Sequence, residues 1–223
     1  MKIAVLLPYK ENFSPEYPGS VSIFLQNIIK LSKYEKFVKI YGHTIFKKKI
    51  SKNYINLDFN KKIFLSSSKQ YLSKFIQKTQ NEDIKIVEIH NRPQYVKYLL
   101  KYYENLVLYY HNDPTKQKGS KKVSDRLYLI KNLKFIIFNS NWTKKKFLTN
   151  LNLSIKLKKK LLVIHQSTDK VKINFKKKKN IICFVGKLNS SKGYDLFVNV
   201  LKKILKKYPH WKAIVIGDEK REN

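Results

Sequence analysis

Residues 184–197 read FVGKLNSSKGYDLF, an apolar run that leads through a glycine-containing loop into an amphipathic segment. Glycine lets the backbone approach a ligand closely, and the N-terminus of a helix presents free N–H groups to an anion. Lys187 and Lys192 flank the loop, where their charges can neutralise a diphosphate. The residues alone leave two interpretations open: a phosphate-binding loop, or an ordinary strand–turn–helix in a lysine-rich chain.

The segments around this stretch repeat the same alternation of short apolar runs and longer amphipathic runs. Nearly continuous apolar runs are typical of strands covered on both faces, and a helical stripe of apolar residues predicts a helix. The predicted strands are 3–7, 36–41, 84–89, 106–110, 135–138 and 161–164, and the predicted helices are 20–32, 69–80, 94–103, 121–131 and 141–150. This order predicts an α/β fold with a doubly wound parallel sheet. Residues 42–68 are the least regular, and we expect an antiparallel hairpin there.

The pattern stops near residue 169 and restarts at residue 180. Residues 170–179 are rich in lysine, which predicts a solvated linker. Residues 180–223 then form one βαβ pattern, so we predict an N-terminal domain over 1–169, a linker over 170–179 and a partial second domain over 180–223. A lone βαβ unit leaves sheet edges uncovered, and we therefore expect the sequence to be a fragment of a longer protein. Cys183 lies in an apolar run and is expected to be buried.

Residues 184–197 resemble the signature that opens the donor-binding domain of family 4 glycosyltransferases, which have the GT-B fold. That signature is a strand, Val-Gly-Arg-Leu, a short turn, Lys-Gly and a helix. Ala213–Asp218 resembles the next strand of the family and its Gly-Asp turn. The resemblance implies that Gly186, Lys187 and Lys192 bind the diphosphate of the donor. Lys187 stands where arginine is usual, so the charge is kept and the planar fork is lost.

The N-terminal part carries further points of resemblance. Gly19 lies in a segment that resembles the family's loop after the first strand, which approaches the donor phosphates; a plain turn with Ser20 as a helix cap is the alternative. His111 matches the position of the family's active-site histidine. The resemblance implies that this side chain hydrogen-bonds to hydroxyl groups of the donor or acceptor and binds no metal.

Polar residues follow two predicted strands, and ligands of open α/β sheets bind beyond the carboxyl ends of strands. His90 and Arg92 follow one strand and are weaker candidates for an acceptor site. Asp169 lies in a segment that resembles the family's domain junction and is a candidate of the same rank. The alternative for His90 and His111 is a capping role at the end of a strand.

The net charge of +33 comes from 48 basic and 15 acidic residues, but only three of the basic residues are arginines. Nucleic-acid sites favour arginine, so we predict no nucleic-acid binding. A strongly cationic surface is attracted to anionic membranes. The apolar N-terminus is too short for a signal peptide and no stretch of about 20 apolar residues occurs, which predicts a cytoplasmic protein with peripheral contact at the inner face of the membrane.

The resemblance implies a retaining glycosyltransferase that moves a sugar from a nucleotide-diphosphate sugar to a cell-envelope glycan or a lipid-linked acceptor. It implies no cofactor and no metal. The sequence ends before the region where the family carries its Glu-x₇-Glu motif, so we expect this chain alone to be inactive. The alternative is a non-catalytic basic protein that binds anionic membrane or nucleic acid. A dinucleotide-dependent oxidoreductase is disfavoured because no Gly-x-Gly-x-x-Gly follows the first strand.

Overall fold

The structure, a computed structural model, describes residues 2–59, 66–167, 170–172, 174 and 178–218. The chain divides into two compact units, Met1–Thr168 and Asp169–Asn223. The predicted linker over 170–179 lies partly outside the described residues, and the predicted domain boundaries stay a prediction. No helix in the described ranges combines the length and the apolar character needed to cross a membrane.

The first unit contains a seven-stranded sheet in the order β3-β2-β1-β4-β5-β6-β7. Every neighbouring pair is parallel, which confirms the predicted α/β class. The strands are β1 (Lys2–Leu6), β2 (Val38–Gly42), β3 (Tyr54–Asn56), β4 (Ile84–His90), β5 (Leu106–Tyr110), β6 (Phe135–Phe138) and β7 (Leu161–Val163). Strands β2 and β3 are added on one side of β1, whereas β4 to β7 are added on the other side. Such a switch point between β1 and β4 opens a crevice at the carboxyl ends of the strands.

The expected antiparallel hairpin within residues 42–68 is wrong, because β3 pairs in parallel with β2. The connection between the two strands crosses over instead of turning tightly. Ile50 and Tyr54 pack against the apolar core on one face of the sheet, and this burial holds the connection across that face.

Helices cover both faces of the sheet. They are α1 (Ser20–Lys30), α2 (Ser67–Thr79), α3 (Val96–Leu99), α4 (Val123–Asn132), α5 (Asn141–Leu148) and α6 (Ile155–Lys158). The face with α1 buries Val5, Leu7 and Tyr109, and the opposite face buries Ala4, Leu6 and most of the remaining core. The predicted helix over 94–103 is shorter than expected, because a 3-10 turn at Pro93–Tyr95 leads into only four α-helical residues.

A buried arginine ties α4 to the end of α5. Arg126 is 3% exposed. Its Nη1 donates to the carbonyl oxygens of Ser120 at 3.2 Å and Lys121 at 2.9 Å, and its Nη2 donates to that of Thr149 at 2.7 Å. Three carbonyl dipoles thus take the place of a carboxylate, as a buried cation requires hydrogen-bonded partners.

The second unit consists of β8 (Ile181–Val185), α7 (Tyr194–Lys207) and β9 (Lys212–Ile216). The two strands are parallel, so the predicted βαβ order is confirmed. The expected burial of Cys183 is wrong, since its thiol is exposed. Phe184 packs against rings on α7, and side chains alternate between the faces of a strand; Cys183 therefore lies on the face away from the helix.

We predict that Arg126→Lys destabilises the first unit by about 2 to 3 kcal/mol, the effect of hydrogen bonds lost from a charged group. A lysine ammonium has no planar fork with which to reach all three carbonyls. Urea unfolding followed at amide resonances of α4 and α5 measures the change. Lys121→Arg at the neighbouring exposed position is the control and should stay within about 0.5 kcal/mol. Equal stability of Arg126→Lys and the parent would show that the carbonyl cluster does not need the guanidinium.

Candidate functional site

The predicted site residues of the first unit lie at the carboxyl edge of the sheet. His90 ends β4, His111 follows β5, and the β4–β5 register places His90 opposite Tyr109. The two histidines are thereby brought into direct contact. Arg92 donates to the Asn91 carbonyl oxygen at 2.9 Å and takes no part in this contact. Asp169 lies outside the described residues.

The two imidazoles share a hydrogen bond and an aromatic stack. His90 Nδ1 lies 2.8 Å from His111 Nε2. The Tyr109 ring stacks on both, with centroid distances of 5.4 Å to His90 and 4.5 Å to His111. Phe24 of α1 meets His111 edge-on at 5.2 Å. This packing fixes the plane of the His111 ring.

Each end of the histidine pair meets another polar side chain. His90 Nε2 lies 2.8 Å from Glu88 Oε1, a close contact that is not aligned as a hydrogen bond. At the other end, Gln166 Nε2 lies 2.8 Å from His111 Nδ1. Glu88 and His90 are two residues apart on β4 and therefore face the same side. The result is a continuous chain Glu88–His90–His111–Gln166, of which sequence reasoning had found only the two histidines.

Burial controls the charge of His111. Burial, and to a smaller extent the neighbouring His90, together lower the pKa of the imidazole to about 3. His111 is therefore neutral near pH 7, with one N–H donor and one lone pair. A neutral imidazole suits hydrogen bonds with hydroxyl groups and does not form an ion pair with a phosphate.

Asparagine side chains hold the backbone of His111 in place. Asn91 Oδ1 accepts from the N–H of His111 at 2.8 Å and from that of Asn112 at 3.3 Å. Asn139 Nδ2 donates to the His111 carbonyl oxygen at 2.9 Å. Asn91 has a φ of 50°, a left-handed conformation that asparagine tolerates better than most residues. The repeated His-Asn pair after two strands and the asparagine after β6 were signals that could have identified these residues.

A pocket of about 320 Å³ opens in front of His111. Its size is at the lower end of the range for small-molecule sites. It is lined by Ser20, Ile23, Phe24, Asn27, His111, Asn112, Gln166 and Ser167. The wall combines apolar side chains of α1 with hydroxyl, amide and imidazole groups, which matches a neutral, polar ligand.

Gly19 precedes α1, but the helix N-terminus already holds an anion. Glu11 Oε1 accepts from the N–H of Val21 at 2.9 Å and of Ser22 at 3.3 Å. A Cβ atom on Gly19 would lie 2.0 Å from Glu11 Oε1, so the glycine leaves room for this carboxylate. The N-cap residue of α1 is Gly19 and not Ser20, and no hydrogen bond from the side chain of the cap residue closes the helix. Sequence reasoning missed Glu11 because eight positions separate it from the helix.

The loop after β8 is held by a close approach of two glycines. The N–H of Gly186 donates to the Ile216 carbonyl at 3.0 Å, and a Cβ atom on Gly217 would lie 1.9 Å from the Gly186 carbonyl oxygen. A Cβ atom on Gly186 would lie 3.9 Å from the Cβ of Lys192, so these two predicted residues are neighbours. Lys187 and Lys192 are both exposed.

The start of α7 depends on Gly193. This residue has a φ of 73° and is the N-cap of the helix; only glycine adopts such a conformation at no steric cost. It turns the chain from the 3-10 turn Ser190–Lys192 into α7. The first-turn N–H groups of a helix lack intrahelical partners, and Lys192 lies beside them.

Residues 165–223 match the family described as Glycosyl transferases group 1. No curated protein sequence matches the chain. The match contains the whole loop from Gly186 to Gly193. The carboxyl-terminal part of the chain is thus similar to group 1 glycosyltransferases, which confirms the resemblance to glycosyltransferases drawn from residues 184–197; the assignment to family 4 stays a prediction.

Solved structures share the fold. Anabaena Alr3699/HepE, crystallised with UDP-glucose, is 13% identical with a TM-score of 0.66; the similarity covers 98% of this chain and 61% of HepE. Sucrose-phosphate synthase (tll1590) from Thermosynechococcus elongatus is 11% identical with a TM-score of 0.61, covering 97% of this chain and 62% of that enzyme. These similarities confirm the GT-B fold class. The chain spans about 61% of the length of the HepE structures.

The neutral state of His111 predicts a loss of stability in acid. The unfolded chain binds a proton at this residue below its ordinary pKa of 6.5, whereas the folded protein binds it only near pH 3. The free energy of unfolding is therefore unaffected by this group above pH 6.5. It falls as the pH is lowered, by about 1 to 2 kcal/mol between pH 7 and pH 5. Urea unfolding followed at amide resonances of β4 and β5 measures it. His111→Gln should show a flatter pH dependence; identical pH dependence in the parent and the variant would contradict a neutral His111.

The contact between Glu11 and Gly19 predicts strong coupling between the two positions. Gly19→Ala forces the carboxylate away from α1 and should destabilise the first unit by about 1 to 2 kcal/mol, the usual effect of a lost helix cap. In a Glu11→Ala background the same change should cost only a few tenths of a kcal/mol, because the clash is gone. A double-mutant cycle on unfolding free energies measures the coupling. Additive effects would exclude Glu11 as the cap.

Proposed function

We propose that the chain is part of a retaining family 4 glycosyltransferase that transfers a sugar from a nucleotide-diphosphate sugar to a cell-envelope glycan or a lipid-linked acceptor. The observation that carries this proposal is the loop from Gly186 to Gly193, which lies within the match to group 1 glycosyltransferases and leads, with two basic side chains, into the first turn of α7. HepE, which has the same fold, was crystallised with UDP-glucose and with UDP and glucose.

Lys187, Lys192 and the first turn of α7 form the proposed diphosphate site. The helix dipole and the N–H groups of the first turn favour an anion there, and Gly186 allows close approach of the backbone. Negative charge grows on the diphosphate as the glycosidic bond breaks. Fixed positive groups therefore stabilise the transition state more than the bound donor. The proposed mechanism uses no metal and no cofactor.

His111 is the proposed contact to a sugar hydroxyl, in the pocket beside α1. His90 is 0% exposed, so it acts on a ligand only through His111. Arg92 and Asp169 remain proposed acceptor contacts of lower rank. A role for Gly19 toward the donor phosphates requires the Glu11 carboxylate to leave α1 first, because two anions cannot share the same N–H groups.

The surface charge fits a membrane-associated acceptor. A net charge of +33 attracts the chain to anionic lipid, and a cytoplasmic enzyme held at the inner face of the membrane would meet lipid-linked sugars there. The shortage of arginine argues against nucleic acid as a partner. Binding to anionic vesicles that falls steeply with salt is the behaviour this part of the proposal requires.

We predict that Lys192→Ala in the full-length protein lowers turnover by about two to three orders of magnitude, the usual effect of losing one preorganised electrostatic contact. Lys187→Arg should be tolerated, since it restores the planar fork. His111→Ala should lower turnover while nucleotide affinity stays within about twofold, because a lost hydroxyl contact is worth about one hydrogen bond. Transfer of labelled sugar from a panel of nucleotide sugars measures all three.

Lys203→Ala is the matched control, because this exposed lysine lies on the same helix away from its N-terminus. It should leave turnover unchanged. If Lys192→Ala bound and used the donor like the parent, the diphosphate site would have to lie elsewhere. If no nucleotide sugar supported transfer by the full-length protein, the proposed activity itself would fail.

A further inference from the structure

The chain of polar side chains from Glu88 to Gln166 has a direction that its chemistry determines. Its three contacts, Glu88 to His90, His90 to His111 and His111 to Gln166, each measure 2.8 Å. An ionised carboxylate only accepts hydrogen bonds, and a neutral imidazole has one donor nitrogen and one acceptor nitrogen. The role of each nitrogen therefore follows from the carboxylate end.

At the Glu88 end, the contact with His90 Nε2 is close but not aligned as a hydrogen bond; the negative charge 2.8 Å away still favours the proton on Nε2. His90 Nδ1 is then the lone pair, and it accepts from His111 Nε2. The last nitrogen, His111 Nδ1, is left with a lone pair that faces the pocket. The atom opposite it is the amide Nε2 of Gln166, which is a donor, as this direction requires. The low pKa of His111, caused first by burial, agrees with a neutral ring.

We propose that Glu88 and His90 are positioning residues that hold His111 in its Nε2–H tautomer, so that the pocket presents the Nδ1 lone pair to a ligand hydroxyl that replaces Gln166 as the donor. Gln166 is exposed and lines the pocket, so a ligand can displace it. The assignment of that hydroxyl to a sugar rests on the proposed function, whereas the proposed tautomer of His111 is independent of it.

The tautomer decides which chemical class the pocket accepts. A lone pair attracts O–H and N–H donors and repels the oxygens of phosphates and carboxylates. The opposite tautomer would present an N–H group and favour those anions instead. The carboxylate of Glu88, two residues before His90, thereby selects for hydroxyl groups at the pocket, much as a carboxylate sets the tautomer of a histidine in other sites.

Imidazole ¹⁵N NMR of the full chain with labelled histidine tests the proposal directly. At neutral pH we expect Nδ1 of both His90 and His111 at the chemical shift of an unprotonated nitrogen and Nε2 at that of a protonated one. The His111 shifts should stay the same down to pH 5, because its pKa is lowered to about 3. A protonated Nδ1 on His111 would overturn the proposal. Single His→Gln variants assign the resonances among the five histidines of the chain.

Variants of Glu88 separate tautomer control from simple packing. Glu88→Gln keeps the shape but both donates and accepts, so it should turn the single His111 tautomer into a mixture. Glu88→Asp remains an acceptor only and should restore the parent pattern. Glu82→Gln is the matched control, because Glu82 lies just before β4 and pairs with Lys2 and Lys39; it should change nothing at His111. A single unchanged tautomer in Glu88→Gln would show that Glu88 does not set it.

Kinetics in the full-length protein, with UDP-glucose as the probe donor, give a separate result. Glu88→Gln should lower kcat by about tenfold, the effect of one misdirected hydrogen bond, with KM for the donor within twofold; an unchanged kcat would overturn the role in positioning. If the parent transferred no sugar from any nucleotide donor, the proposed function would fail while the NMR result would still decide the tautomer.

Discussion

Because β4 pairs in parallel with β1 on one side and with β5 on the other, the carboxyl ends of the central strands lie together at one edge. This register places His90 beside Tyr109 and carries the chain directly into His111. A shift of one residue would turn Glu88 and His90 to the opposite face, away from α1 and the pocket. The histidine pair of the candidate site therefore depends on the same strand pairing that buries the core.

In the first unit, Arg126 and His111 pair with neutral groups. Arg126 is surrounded by carbonyl oxygens, His111 is kept neutral, and its backbone is held by the amides of Asn91 and Asn139. Neutral hydrogen bonds avoid most of the desolvation penalty of buried charge, while their loss is still expensive because a polar atom is left unpaired. In a chain with a net charge of +33, such neutral pairing also keeps the interior independent of the strongly cationic surface.

The sequence contained enough to predict the strands and helices of the sheet, because their apolar patterns are continuous and long. It did not predict β3, whose three residues carry too little pattern and whose direction is decided by distant packing of Ile50. The same limit applies to the site. His90 and His111 could be found because they end apolar runs, whereas Glu11 and Gln166 act only through contacts across 10 and 55 positions. Local pattern carries no information about partners so far apart.

The two helix N-termini at the predicted site residues differ in how they treat an anion, and this difference divides the proposed recognition between the two units. The first turn of α1 is filled by the Glu11 carboxylate and stands beside a pocket whose histidine is neutral. The first turn of α7 includes Asp195, but Lys187 and Lys192 precede it, so positive charge prevails there. The proposed diphosphate site therefore fits α7 better than α1, and uncharged hydroxyl groups suit the pocket beside α1. On this argument the leaving group of the proposed reaction belongs to the second unit, and the first unit recognises a neutral sugar.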